Sequence, residues 1–436
     1  MHRLRYVALL PVLMIGSGCA WWIGRAEVAS SLDYVSAATD ELHKGHFDSA
    51  LDVLMRARGR FPRDEAVLRW NVEVHRMQRQ YREALAFLLE LSRAEHLHTV
   101  TRREVAGQIG DLLFESGDYG RSAHFLYSGV SGPAMVHRRA KADITLALPY
   151  IRPQIDYRPI DAKLVATIWP SVLCGFRGKD RLCILDTGST MSTLSRSVAE
   201  LVGVTDVRDF GMVRDSLGRK HGAHIGVLKS LSMGGVKLSV LPVLVVEDER
   251  LALRDPFGGP ENPPMVVLGL DVLSRFRVVF DFSREVVRFD RPGGMVPGHA
   301  EDSLLVEGCL VFPMRVDAVD MWFILDTASS HSSLTEAGLA ALPGGERRVV
   351  PDYRRPKSLA GRGFISRKVE SMVLQSSGVR FAGVEMPVVE RLTSGVFPVH
   401  GVLGVDLLRH CRLTIDSGRI LLEQVGSLPS AKSDKR

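Results

Sequence analysis

Three hydrophobic patterns succeed one another along the chain. The first is continuous: after the basic start His2-Arg3-Leu4-Arg5, residues Tyr6 to Gly24 include no side chain formally charged at neutral pH. A basic start followed by an apolar run reads as an export segment, and the run is close to the ~20 residues that a membrane-crossing helix needs. Pro11 and the glycines weaken it as a helix, whereas Trp21 and Trp22 suit a membrane interface. Residues 1–30 are therefore expected to be a signal peptide or a membrane or lipid anchor, which puts the body of the chain in a bacterial periplasm or cell envelope. The second pattern, between about 34 and 130, has apolar positions at helical spacing with short connections, and predicts a helical region over 31–150. The third consists of short β-rich runs over 155–292 that recur over 303–425. Glycine and proline between Arg291 and Gly298 mark a linker, 293–302, and residues 426–436 read as a flexible tail.

The helical region repeats. Gly45-His46-Phe47-Asp48-Ser49-Ala50 is echoed 34 residues later by Arg79-Gln80-Tyr81-Arg82-Glu83-Ala84, and more loosely by Gly117-Asp118-Tyr119 with Ser122 at the small-residue position. The offset, the aromatic and the small residue three positions on resemble tetratricopeptide repeats. Such repeats imply a curved scaffold or docking surface for a protein partner, and no chemistry of their own. At the other end of the first pattern, Gly16-Ser17-Gly18-Cys19 resembles a bacterial lipoprotein processing site, with Gly16 where such sites usually carry leucine, and makes Cys19 a candidate for lipidation.

Composition narrows the function classes. The 436 residues are 45% hydrophobic and 24% charged, which excludes a disordered or low-complexity chain. The formal charge of +6 is spread along the chain without zinc-finger spacing, so no nucleic-acid partner is expected. Five cysteines, none at a two-residue spacing, are too few for a disulfide scaffold and give no structural zinc or thiol redox motif, although Cys174 and Cys183 lie where they can face each other across a hairpin. His221 and His224 form too common a pair to carry a metal, and no cofactor is expected.

The β-rich half is duplicated around two acidic turns. Leu182-Cys183-Ile184-Leu185 runs into Asp186-Thr187-Gly188-Ser189-Thr190, and Trp322-Phe323-Ile324-Leu325 runs into Asp326-Thr327-Ala328-Ser329-Ser330, 140 positions on. Farther along, Val267-Leu268-Gly269-Leu270-Asp271-Val272-Leu273 corresponds to Val402-Leu403-Gly404-Val405-Asp406-Leu407-Leu408, and Phe280-Asp281 to Ile415-Asp416, both at an offset of 135. Asp271 and Asp406, beside the motif glycines Gly269 and Gly404, read as acids that support turns.

The Asp-Thr-Gly core at 186–188, its preceding hydrophobic strand and the distant hydrophobic-hydrophobic-Gly motif at 267–269 resemble pepsin-like and retroviral-type aspartic proteases, and the compact lobes are similar to bacterial retropepsin-like proteins. The resemblance implies a multidomain protein in which the α-helical repeat region precedes a mostly β, bilobal aspartic-protease fold. It implies an aspartic endopeptidase acting on protein or peptide substrates, with Asp186 and Asp326 as an intramolecular pair around a shared water. Thr187 and Thr327 would brace the opposed turns, with Gly188 and Ala328 beside them, and Ser189 and Ser329 would hold the carboxylates or stabilise the turns. Ala328 departs from the family's glycine, which leaves a degenerate peptide-binding adaptor, or a site made from two first lobes of different chains, as alternatives. Asp215-Ser216-Leu217-Gly218 and Gly361-Arg362-Gly363 are candidate flaps whose glycines would sit near hairpin tips. The loop from Asp255 to Pro264 is a candidate rim of the cleft.

Overall fold

The computed structural model describes residues 30–94, 99–129, 135–148, 154–158, 161–164, 169–214, 219–251, 266–294, 300–344, 349–351, 357–358, 361–362, 367–376, 378–389, 395 and 397–425. The export segment with Cys19, the first candidate flap at 215–218, Gly363 and the loop at 255–264 lie outside the described residues. Among the described residues no helix is long and apolar enough to cross a membrane.

Among the described residues seven helices come first: α1 (Ser31–His43), α2 (Phe47–Arg60), α3 (Glu65–Met77), α4 (Tyr81–Ser92), α5 (Thr99–Glu115), α6 (Tyr119–Ser128) and α7 (Met135–Ala147). Their starts are set by local chemistry. Ser30 and Asp33 cap α1 reciprocally, and Asp64 accepts from the Val67 amide at the start of α3. The three echoed segments share a backbone feature, because Gly45, Arg79 and Gly117 all adopt left-handed φ, at 79°, 59° and 81°. Each reverses the chain so that the aromatic two residues later opens a new helix. Buried Ala50, Ala84 and Ser122 let the neighbouring helices approach.

Two β lobes follow, each built on an eight-stranded sheet. In the first, the hairpin of Ser171–Phe176 and Lys179–Leu185 is joined by long strands over Thr205–Arg214, Lys220–Met233 and Val236–Val246. The second repeats the plan with Cys309–Val316 and Val319–Leu325, then Arg367–Ser376 and Val379–Val389. The equivalent first hairpins turn on Arg177-Gly178 and Asp317-Ala318, all four at positive φ, which matches the right-handed twist of their strands.

The lobes are joined by a third sheet to which both contribute. Arg277–Asp281 of the first lobe pairs antiparallel with Cys411–Asp416 of the second, Val278 opposite Ile415 and Phe280 opposite Leu413. Each is flanked by its own partner, Val286–Asp290 on one side and Arg419–Gln424 on the other. Glu301 and Asp302, at the end of the expected linker, form a short strand on the outer edge of this sheet. One apolar core runs through both lobes and includes fully buried Phe176, Phe280, Phe312, Phe323 and Phe381.

The helical region lies against both lobes. Leu42, Phe47 and Leu54 from α1 and α2 pack with Val306, Ile324 and Phe397 of the second lobe, and the Trp322 indole donates to the Gly45 carbonyl at 3.0 Å. At its far end, Phe114, Tyr119 and Ile144 pack with Phe210, Ile225 and Val227 of the first lobe. Faces that repeats of this kind could offer to an outside partner are thus partly occupied by the chain's own lobes.

Candidate active site

Each acidic turn begins where a buried strand is pinned by a second, parallel strand. Leu185 lies beside Leu268 and the Asp186 amide donates to the Leu268 carbonyl at 2.9 Å; Leu325 lies beside Leu403 and the Asp326 amide donates to the Leu403 carbonyl at 3.1 Å. This parallel contact is what the distant hydrophobic-hydrophobic-Gly motifs supply. Their glycines are required by close approach: a Cβ on Gly269 would lie 2.7 Å from the Ser189 carbonyl oxygen, and one on Gly404 would lie 2.8 Å from that of Ser329. Both contacts are with backbone of the acidic turns, which a side chain could not displace cheaply.

The two turns interlock through their threonines. The Thr187 amide donates to Thr327 Oγ1 at 3.1 Å and the Thr327 amide donates to Thr187 Oγ1 at 3.0 Å. The hydroxyls in turn donate across the lobes, Thr187 to the Leu325 carbonyl at 2.8 Å and Thr327 to the Leu185 carbonyl at 2.6 Å. Both threonines are fully buried, so every one of these groups would otherwise be an unpaired polar atom in the core.

This lattice brings the carboxyl groups of Asp186 and Asp326 to one glycine. The Gly188 amide donates to Asp186 Oδ1 at 2.8 Å, and a Cβ added to Gly188 would stand 2.7 Å from Cγ of Asp326. The Asp326 carboxyl therefore occupies the space that the missing side chain leaves. Ala328 donates its amide to Asp326 Oδ1 at 2.9 Å, in the same way as Gly188 to Asp186. Neither Gly188 nor Ala328 has positive φ, so the alanine carries none of the backbone strain that its departure from glycine suggests.

The two serines differ. Ser189 donates its hydroxyl to Asp186 Oδ2 at 2.6 Å, but Ser329 turns its hydroxyl to the His331 carbonyl at 3.0 Å and does not hold a carboxylate. Burial pushes the Asp186 carboxyl above the usual carboxylate range, opposed by the Ser189 hydroxyl and the amides of Gly188 and Ser189. Asp186 is almost wholly buried and Asp326 half-buried.

A second layer supports the turns. Asp271 Oδ1 accepts from the amide and hydroxyl of Ser192, both at 2.8 Å, and Ser192 Oγ accepts from the Gly269 amide at 3.1 Å. The second lobe repeats this with Asp406, Ser332 and Gly404, at 2.8, 2.7 and 2.9 Å. Burial pushes Asp271 up to about 6. The sequence reading includes the two acids and misses the two serines, although both stand six residues after an active-turn aspartate and so follow the 140-residue offset.

The other candidate residues fall elsewhere. The strands that would carry the first flap, Thr205–Arg214 and Lys220–Met233, form a hairpin whose connection includes 215–218. Gly361 and Arg362 form the returning strand of a short hairpin with Lys357 and Ser358, which puts Gly361 beside its tip. Cys174 and Cys183 are buried free thiols, and among the described residues no group of acids, histidines and cysteines is arranged to hold a metal.

Residues 172–272 match the family model for aspartyl proteases, a stretch that takes in Asp186-Thr187-Gly188 and Gly269. No curated protein matches the chain. Similar solved structures include a retropepsin-like aspartic protease from Rickettsia conorii, at 14% identity and a TM-score of 0.23, with 32% of this chain and 96% of that one covered. The first lobe is thus similar to aspartyl proteases over residues 172–272.

Proposed function

We propose that the protein is an aspartic endopeptidase in which Asp186 and Asp326, one from each lobe of a single chain, activate a water against a peptide bond. The observation that carries this reading is the meeting of the two carboxyl groups at Gly188, whose amide binds one and whose missing side chain makes room for the other. Two carboxyl groups held this close resist simultaneous ionisation, so the pair retains one proton and one negative charge, and its titrations belong to the pair. The ionised member takes a proton from water as the water oxygen attacks the peptide carbonyl carbon. The protonated member gives its proton to the carbonyl oxygen, and a proton then passes to the departing nitrogen as the carbon–nitrogen bond breaks. The buried threonine lattice supports this chemistry by fixing both backbones, so that little reorganisation is needed as charge moves.

The test incubates the chain lacking residues 1–30 with a diverse peptide mixture from acid to neutral pH and maps new termini by mass spectrometry. Asp186→Asn and Asp326→Asn should each abolish cleavage in folded protein. Undiminished cleavage by the Asp326→Asn protein would remove the intramolecular pair, and cleavage by both would remove the mechanism. Residues 1–30 are read as an export segment or anchor of an envelope protein; cell fractionation that finds the body only in cytosol with its apolar start intact would sink that reading.

A further inference from the structure

A cavity of about 600 Å³ lies between the helical layer and both lobes, within the ~300–1,000 Å³ range of pockets that enclose small ligands. On the protease side its wall includes Thr190 and Gly308, which are in contact: the Thr190 hydroxyl donates to the Gly308 carbonyl at 3.2 Å. Thr190 stands four residues after Asp186, so their Cα atoms are at most about 14 Å apart even if the turn were fully extended. The near wall of the cavity is therefore no farther from the Asp186 turn than about four residues of extended peptide.

The wall combines aromatic surface with two cations, Arg79 and Arg275, that form no close ion pair among the described residues. Trp70, Phe114 and Phe397 supply the apolar part. Of the basic residues, Arg76 is paired with Glu115 at 2.6 Å and Lys141 with Asp111 at 2.8 Å. Arg79 and Arg275 are bonded to neutral oxygens instead. Arg79 donates to the Ser303 hydroxyl at 3.3 Å, and its buried Nε meets no hydrogen-bond partner among the described residues. Arg275 donates to the Tyr119 hydroxyl at 3.2 Å and the Asp271 backbone carbonyl at 2.6 Å. Of the other acids on the wall, Glu73 and Glu307 are exposed to solvent, and the buried Asp271 carboxyl interacts electrostatically with Arg275.

Arg79 is also out of keeping with its repeat. The equivalent turns use glycine at φ of 79° and 81°, whereas here an arginine holds φ of 59°.

We infer that this cavity receives the carboxyl-terminal end of the substrate, an apolar terminal side chain against Trp70, Phe114 and Phe397 and the terminal carboxylate on Arg79 and Arg275. The inference rests on the proposed peptidase function and adds to it a substrate class: peptides cut a few residues from a free carboxyl end. Guanidinium groups in a fork geometry suit a carboxylate, and such charge-assisted bonds are roughly twice as strong as neutral ones.

The test compares one cleavable peptide ending in an apolar residue as the free acid and as the amide, which alters the ligand and leaves the protein untouched. KM for the full chain is read with both forms, and their affinity for the Asp186→Asn protein is read by calorimetry. The acid should show a KM and a Kd about tenfold lower than the amide, the size of one charge-assisted hydrogen bond. Arg79→Gln and Arg275→Gln should each bring the amide-to-acid ratio toward one, with Arg79→Lys retaining part of it. Equal Kd values for the two forms would overturn the inference, as would an unchanged ratio in both glutamine variants. Cleavage without end preference leaves the peptidase reading intact and removes this one; preference for the acid in binding without cleavage of any peptide does the reverse.

Discussion

Gly188 and Ala328 hold equivalent places in the two acidic turns, and a single methyl group separates them. At 188 that methyl group would meet the Asp326 carboxyl at 2.7 Å, whereas Ala328 is accommodated without strain. Gly188→Ala should therefore displace Asp326 and lower cleavage at least about 100-fold, the scale at which a misplacement near 1 Å is felt, while Ala328→Gly should keep activity; kcat on one peptide checks both. The buried acids set a pH trend. Because burial brings Asp271 from its ordinary value near 3.8 to about 6, the folded chain binds more protons at this group than the unfolded one between those values, and burial shifts Asp186 in the same direction. The contribution of Asp271 to stability is full below that window and is lost as pH rises through it. Asp271→Asn keeps an acceptor for Ser192 and should flatten the trend by about 1–3 kcal/mol, read as the difference in unfolding free energy between pH 4 and pH 7. The Asp-Thr-Gly turn was legible because it is contiguous. The different duties of Ser189 and Ser329 were not, because identical residues in matching turns chose partners that only their surroundings offer.

At the scale of elements, the hairpin of Thr205–Arg214 and Lys220–Met233 is braced from outside by α7. The His137 ring lies 4.6 Å from that of Phe210, its Nε2 is 3.3 Å from the Met212 carbonyl, and Phe210 is 7% exposed. Phe210→Ala should cost about 3 kcal/mol or more and speed hydrogen exchange in this hairpin ahead of the Ser171–Leu185 hairpin, measured by mass spectrometry. The elements themselves were largely visible. The helical repeats announce themselves through aromatic and small residues at a fixed offset, and the central strands through runs such as Val267-Leu268 and Val402-Leu403. The strand at Glu301 and Asp302 was hidden in a stretch read as linker, since two acids give no strand pattern and the pairing partner, Arg419–Gln424, is over a hundred residues away.

For the whole molecule, the helical layer is part of the folded body, in contact with the second lobe at α1–α3 and the first at α5–α7. A chain beginning at 154 would expose Val311, Ile324, Phe210 and Ile225, all buried in the complete structure. It should bind an apolar dye and unfold at lower temperature than the chain beginning at 30, because large exposed apolar patches drive association. The sequence by itself determined the order of helical repeats and duplicated β lobes, the two acidic turns and the glycines behind them, because each rests on contacts that are local or repeated at a constant offset. Only the tertiary structure decided that Thr187 and Thr327 exchange hydrogen bonds, that the Asp326 carboxyl fills the space beside Gly188, and that Arg79 reaches a cavity beside Thr190. Those relations join residues far apart in the chain, and they depend on which apolar faces find each other when the lobes and the helices pack.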